Sequence, residues 1–473
     1  MQRLRARDTG SLTMAVAVVS VLGVIAASAV AVFVHPLVAL ALVAALVALP
    51  FVLRDIDVAF VIVVAVICLI PFGALPLGIG FNPTLLDLAL GALYLIFIVR
   101  LAMRQQRLRM PPLSAGVIVF IGLMFAALFA GTAHGTPSKN ELRTFAELVL
   151  GAGLYFVVFN LISDRRSLSR VFMALTGLGF VAASVGLALY VLPDQWQVSL
   201  LSLLRVVDYP SGLAVLRFIN DDPSRLQRAT GTSIDPNSFG GMLAMTTALL
   251  APQIVSRAPL IGRREAGAMA AVMFGALLAT VSRGSLVGVA AATGVIGLAR
   301  DRRLLLAGIV VVVALVALAQ VMPWTSAYVH HFTAGVFVED RATQMRAGEY
   351  RDAMRLIQRY PWLGVGFSSP RDIDLYRGVS NLYLIIAETM GIIGLLAFLS
   401  VMLGACVRLM THWRRMRPDG LRAVVLGCLA GIVAALVTGV VDHYYFTYPH
   451  AFALLWLVVG IGVSATVLAE SES

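Results

Sequence analysis

Three arginines sit where long apolar stretches break, each beside residues suited to holding an anion. The first stands in Arg228-Ala-Thr-Gly231-Thr-Ser-Ile-Asp235-Pro236-Asn237-Ser-Phe-Gly-Gly. Asp235 before Pro236 marks a helix start, because proline fits the first turn and aspartate caps free N–H groups. Gly231 permits an irregular backbone just ahead of it. A guanidinium fork beside a helix N-terminus is a phosphate site; the same residues also describe a capped helix start with Arg228 facing water. The second arginine stands in Ala279-Thr280-Val281-Ser282-Arg283-Gly284-Ser285, between two apolar runs with almost no loop. Arg283 either snorkels to the interface or faces a cavity or partner, the usual place of an ionisable residue at such a depth. Arg228 and Arg283, from separate helix boundaries, would clamp a diphosphate.

The third element is a polar, arginine-rich segment from about residue 323 to 380. Within it Ala347, Tyr350, Met354 and Ile357 recur at helical spacing and predict one apolar face. Arg351, Arg355 and Arg359 lie four apart on another. Pro361 ends this helix, and Gly364 and Gly366 follow in a turn. The arginine stripe suits lipid phosphates as well as it suits a substrate; Arg346 stands off the stripe, near the helix start. Carboxylates that could serve as a base in this region are Asp372, Asp374 and Glu388. Asp372-Ile-Asp374 has no further ligand pattern, so no metal is expected there. Cys68, Cys406 and Cys428 all lie in apolar runs without metal or disulfide spacing.

These residues are carried by a membrane protein. Hydrophobic residues make up 60% of the chain and charged ones 13%, which excludes a water-soluble globular domain. A bilayer core takes ~20 apolar residues per helix. Such runs fall at about 13–34, 36–53, 57–74, 84–103, 113–131, 143–163, 171–191, 237–255, 267–281, 284–300, 304–322, 381–408, 421–441 and 450–468. The expected fold is all-α and polytopic, one membrane domain over 1–473 with about fourteen spans (twelve to fourteen) and outer loops at 192–236 and 323–380. The net charge of +11 comes largely from arginines in alternate short loops, among them Arg104, Arg165, Arg263, Arg302 and Arg414. That is the positive-inside pattern and predicts cytoplasmic termini. The basic balance is therefore topology, and no nucleic-acid partner is implied.

The succession RATGTSIDPNSFGG, TVSRGSLVG, RAGEYRDAMRLIQRYPWLGVGF and SNLYLIIAETMGIIGLLAF resembles the bacterial O-antigen ligase and polymerase superfamily. The resemblance covers about residues 225–400. It implies a GT-C type membrane glycosyltransferase of the bacterial inner membrane, acting at the outer face on undecaprenyl-diphosphate-linked glycans without a cofactor. It also implies a glycan or lipid acceptor, membrane lipids, and a chain-length regulator and flippase as partners. Arg228, Arg283 and Arg346 match arginines that act on the donor diphosphate. Asp235, Asn237, Ser282, Tyr350, Ser380 and Asn381 would line the substrate, with Tyr350 where a tryptophan is common. Ligases of the family carry a histidine before the asparagine of the last motif; here the pair is Ser380-Asn381. Serine is no base near neutral pH, so the expected function is polymerisation of exopolysaccharide, capsule or O-antigen repeats. The alternatives are a ligase using an acceptor such as lipid A-core or protein, a glycan transporter or flippase, and a membrane scaffold.

Overall fold

The computed structural model describes residues 56–76, 82–300, 341–368, 378–417 and 419–471. The expected spans at 13–34, 36–53 and 304–322, the candidate carboxylates Asp372 and Asp374, and much of the 323–380 segment lie outside the described residues. Within them the chain is helical: α1 (Ile56–Leu69), α2 (Leu85–Ala102), α3 (Ser114–Gly131), α4 (Lys139–Leu161), α5 (Arg165–Val191), α6 (Asp194–Ser202), α7 (Pro236–Val255), α8 (Arg263–Ala279), α9 (Arg283–Ala299), α10 (Arg341–Arg359), α11 (Leu382–Arg415), α12 (Gly420–Thr438), α13 (Tyr444–Thr447) and α14 (Pro449–Ser471). Two short strands, β1 (Arg217–Phe218) and β2 (Gln227–Arg228), pair antiparallel in the loop before α7, with Arg217 opposite Arg228.

Eight of these helices are long and apolar enough to cross a membrane: α2, α3, α4, α5, α7, α11, α12 and α14. They coincide with eight of the expected spans, and the protein is a multi-pass membrane protein. α1 and α9 are apolar but shorter, so the described residues do not reach the expected fourteen.

Two helices form the axis. α14 is buried continuously from His450 to Thr466, packed most extensively on α4 and also on α12, and α7 is enclosed by α12, α8 and α9. Small residues allow this: a Cβ on Gly460 of α14 would meet the Val158 side chain at 3.0 Å, and one on Gly427 of α12 would meet the Leu249 carbonyl of α7 at 2.4 Å. α2 and α3 are only a third buried and turn Leu95, Ile98, Val119 and Phe129 outward, the surface a helix shows to lipid. Some polar side chains in the core bond to their own helix, as Ser464 donates to Gly460 O at 2.8 Å.

The 381–408 run departs from expectation. Hydropathy makes it one rod, but Gly391 has φ +71° and ψ 179° and interrupts α11. Carbonyls freed by such a break need donors. The turn after α10 supplies them: Val365 N–H donates to Glu388 O at 2.9 Å and Gly366 N–H to Thr389 O at 3.0 Å. In return Ile392 N–H donates to Pro361 O at 2.8 Å. Gly364 and Gly366 also have positive φ, and Gly366 lies against Gly131 at the end of α3. A Cβ on Gly391 would stand 2.0 Å from the Trp362 carbonyl in a disfavoured backbone region. Gly391→Ala should therefore destabilise the protein by more than ~2 kcal/mol, read as a lowered unfolding temperature in detergent; an unchanged melt would contradict the inserted turn.

Candidate functional site

Arg228 is within electrostatic reach of Arg283, and a shared buried acid links it to Arg346. Arg228 ends β2, Arg283 opens α9 and Arg346 lies in the second turn of α10. Arg228 is half-buried; its Nε donates to Thr280 O at 2.9 Å and its Nη2 to Asn237 Oδ1 at 2.5 Å. These bonds lash the loop before α7 to the C-terminal end of α8, reinforced by Ala229 N–H donating to Ala279 O at 2.8 Å. Burial holds the Arg228 guanidinium below its usual range; Asp235 and Asp442 oppose that shift, and Arg283 adds to it. The two cations thus feel each other directly, an arrangement that a bound polyanion would relieve.

The α8–α9 turn that presents Arg283 is strained. Val281, buried and β-branched, has φ +53°, a region such residues rarely enter. Thr280 supports the turn by accepting Ser282 N–H at its Oγ1, 3.2 Å away. Ser282 Oγ lies 2.9 Å from Ser285 Oγ, which in turn lies 3.2 Å from the Tyr444 hydroxyl. The paired glycines at the start of α7 let this turn come close. A Cβ on Gly240 would meet Ser285 Oγ at 2.9 Å, and one on Gly241 would meet the Tyr444 ring at 2.2 Å.

Asp235 caps α7 as expected, accepting Ser238 N–H at 2.6 Å, and Gly231 has φ +56°. Asn381 caps α11, accepting the N–H groups of Tyr383 and Leu384 at 2.9 Å. Its Nδ2 also donates to Val440 O at 2.7 Å. The Tyr350 hydroxyl reaches the carbonyls of Ser380 and Val440, each at 3.4 Å, and Ser380 N–H donates to Glu349 at 3.0 Å. Tyr350, Ser380 and Asn381 are thus brought together, fastening α10 and α11 to the chain after α12. Glu388 is fully buried and accepts Gly378 N–H at 3.1 Å, anchoring the backbone that leads into Ser380.

The apolar face of α10 is rotated from the one expected. Ala353, Leu356 and Ile357 are buried with Tyr350 half-buried beside them, whereas Ala347 and Met354 are exposed. Arg351, Arg355 and Arg359 point outward; Arg355 pairs locally with Asp352 at 3.2 Å, and Arg359 lies over the Tyr360 ring.

A group that sequence reasoning missed completes the cluster. Asp442, in the short turn between α12 and α13, is buried and felt by Arg228. Burial and the nearby Asp235 push its carboxyl up to about 6, against the pull of His443 and Arg346. Tyr445 donates to Gly241 O at 2.8 Å and fixes this turn on α7. The signal available in the sequence is Asp442-His443-Tyr444-Tyr445, an acid and three ring residues crowded between the last two apolar runs.

A multi-pass membrane protein with an arginine cluster and a buried acid at one end of its helices is the class this fold and site define. Residues 268–399 match the family model described as O-antigen ligase. A 174-residue stretch, 36% of this chain, is 29% identical to the O-antigen ligase of Pseudomonas aeruginosa. The match spans about 40% of that relative's length. Both likenesses are to the O-antigen ligase family and cover only part of this chain. A chain of a solved peptidoglycan synthase complex, described as coordinating polymerization and crosslinking, is also similar in part. It has TM-score 0.38 and 16% identity, over 75% of this chain and 96% of that one; a likeness of that degree extends to no functional statement.

Proposed function

We propose that the protein is a glycosyltransferase that moves a glycan from an undecaprenyl-diphosphate carrier to an acceptor hydroxyl, working as a ligase at the outer face of the bacterial inner membrane. The observation that carries this reading is that Arg228 lies within electrostatic reach of both Arg283 and the buried Asp442, which is in turn within reach of Arg346. In the step proposed, the acceptor oxygen attacks the anomeric carbon and the bond from that carbon to the phosphate oxygen breaks. The acceptor proton passes to the Asp442 carboxylate, and the lipid diphosphate leaves with its new negative charge held by the arginines. Fixed cations aimed at developing charge stabilise such a transition state, and Arg suits a phosphate better than Lys. Inversion at the sugar carbon follows from a single displacement.

The polymerase reading rests on Ser380, where a ligase would carry histidine. Asp442 weakens that objection by offering another acceptor for the proton, and the named relative is a ligase, so the ligase stands first. Cytoplasmic termini follow from the arginine distribution, and a flippase and a chain-length regulator are the partners such a pathway implies. The test is to delete the gene and size the lipid-linked glycans by mass spectrometry. Long chains retained on the lipid diphosphate are the expected result. Single repeats on the lipid would transfer the assignment to the polymerase, and unchanged pools would sink both.

A further inference from the structure

A cavity of about 590 Å³ is lined on one side by Thr447, Pro449 and His450, within the range of small-ligand sites. Its polar lining comes from Asn82, Asn140, Arg143, Thr144, Glu147 and Asp208. The charge balance is opposite to that of the arginine cluster. Among the described residues Arg143 is the one cation in that lining, set between Glu147 at 3.6 Å and Asp87 at 3.5 Å, with Asp208 also in the lining. Glu147 is almost wholly buried and accepts the Thr84 hydroxyl at 2.6 Å. Nε and Nη1 of Arg143 are shielded from solvent, and Nη1 is held between the two carboxylates.

Phe72 and His450, both in the lining, meet edge to face at 4.7 Å, and Tyr448 stacks on His450 at 5.7 Å. The wall is thin. His450 Nε2 lies 2.9 Å from the Ser238 hydroxyl, one residue past Asn237, and Thr447 bonds His443 at 2.6 Å, next to Asp442. On the far rim the 192–236 loop is tied down by Asn82 donating to Asp208 at 3.0 Å and by Phe72 N–H donating to the Tyr209 hydroxyl at 3.1 Å.

We propose that this cavity binds uncharged sugar residues of the glycan, holding them beside the diphosphate site. The inference rests on the glycan-transfer reading above. Carboxylates, side-chain amides and one arginine match the donors and acceptors of sugar hydroxyls, and ring edges suit the apolar face of a pyranose. Carboxylates on the lining disfavour a second diphosphate, and the polar walls disfavour a lipid tail.

The test uses the full-length protein in nanodiscs and two probes: the host's repeat-unit oligosaccharide, cleaved from its carrier and freed of phosphate, and the intact lipid-linked form. Saturation-transfer NMR should show the free oligosaccharide on the parent protein. Binding should be ~10-fold weaker in Thr144→Trp, which fills the cavity, and also in Glu147→Gln, which keeps its shape. Arg228→Ala should bind the free oligosaccharide as the parent does yet lose the lipid-linked donor. No oligosaccharide signal on the parent, or equal binding by Glu147→Gln and by a Thr144→Trp that melts like the parent, would overturn the cavity assignment alone. Undiminished binding of the lipid-linked donor by Arg228→Ala would instead overturn the glycan-transfer reading on which it rests.

Discussion

Replacing Arg228 by alanine is expected to lower glycan transfer by about 10²–10³-fold, the usual loss when a fixed donor to developing charge is removed. Arg228 joins β2, the end of α8 and Asn237 at the start of α7, so part of the effect could come from a disordered loop. Two measurements separate these contributions. The variant should remain folded, with its unfolding lowered by no more than ~1–3 kcal/mol for the lost hydrogen bonds. Arg228→Lys should restore part of the rate, because it returns the charge without the two-pronged geometry. Full activity in Arg228→Ala, assayed with lipid-linked donor in reconstituted membranes, would remove the arginine cluster from the mechanism.

The second large effect belongs to Asp442. If its carboxylate accepts the acceptor proton, the ionised form is the active one. With the carboxyl pushed up to about 6, about nine-tenths is ionised at pH 7 and about one-tenth at pH 5. Transfer should therefore rise through pH 6 and level off above pH 7. Asp442→Asn should cost about 10²–10⁴-fold and abolish that rise in whatever activity remains. Stability carries the opposite sign. A carboxyl raised in the folded state binds its proton more tightly than in the unfolded chain, so folding becomes less favourable as pH climbs from the ordinary aspartate range through about 6. The asparagine variant should accordingly melt no lower than the parent at pH 7.5. An unaltered pH–rate profile in Asp442→Asn would assign the base elsewhere.

What the sequence discloses depends on how local the cause is. Asp235-Pro236 announces a helix start because a cap is made within three residues, and it forms where expected. Eight spans are legible because twenty consecutive apolar side chains have few other fates. The break at Gly391 is hidden, since its flanks are as apolar as any span and the donors that permit it come from the turn around Val365 and Gly366. Asp442 escapes notice for the same reason. Apart from the adjacent His443, its charged neighbours Asp235, Arg228 and Arg346 come from the loop before α7 and from α10, far away along the chain. The face of α10 was misjudged because Ala347 and Met354 fit the helical period, while the period alone does not say which side meets the bundle.

The interrupted span has a mechanical corollary. α11 is two rods joined at a pivot, with the turn after α10 wedged into the joint by three peptide hydrogen bonds. The outer rod, Leu382 to Met390, ends at Asn381, whose side chain grips the Val440 carbonyl two residues from Asp442. The turn after α10, the outer rod and the chain leading to the buried acid are thus joined by one run of hydrogen bonds, so the position of Asp442 depends on the break at Gly391.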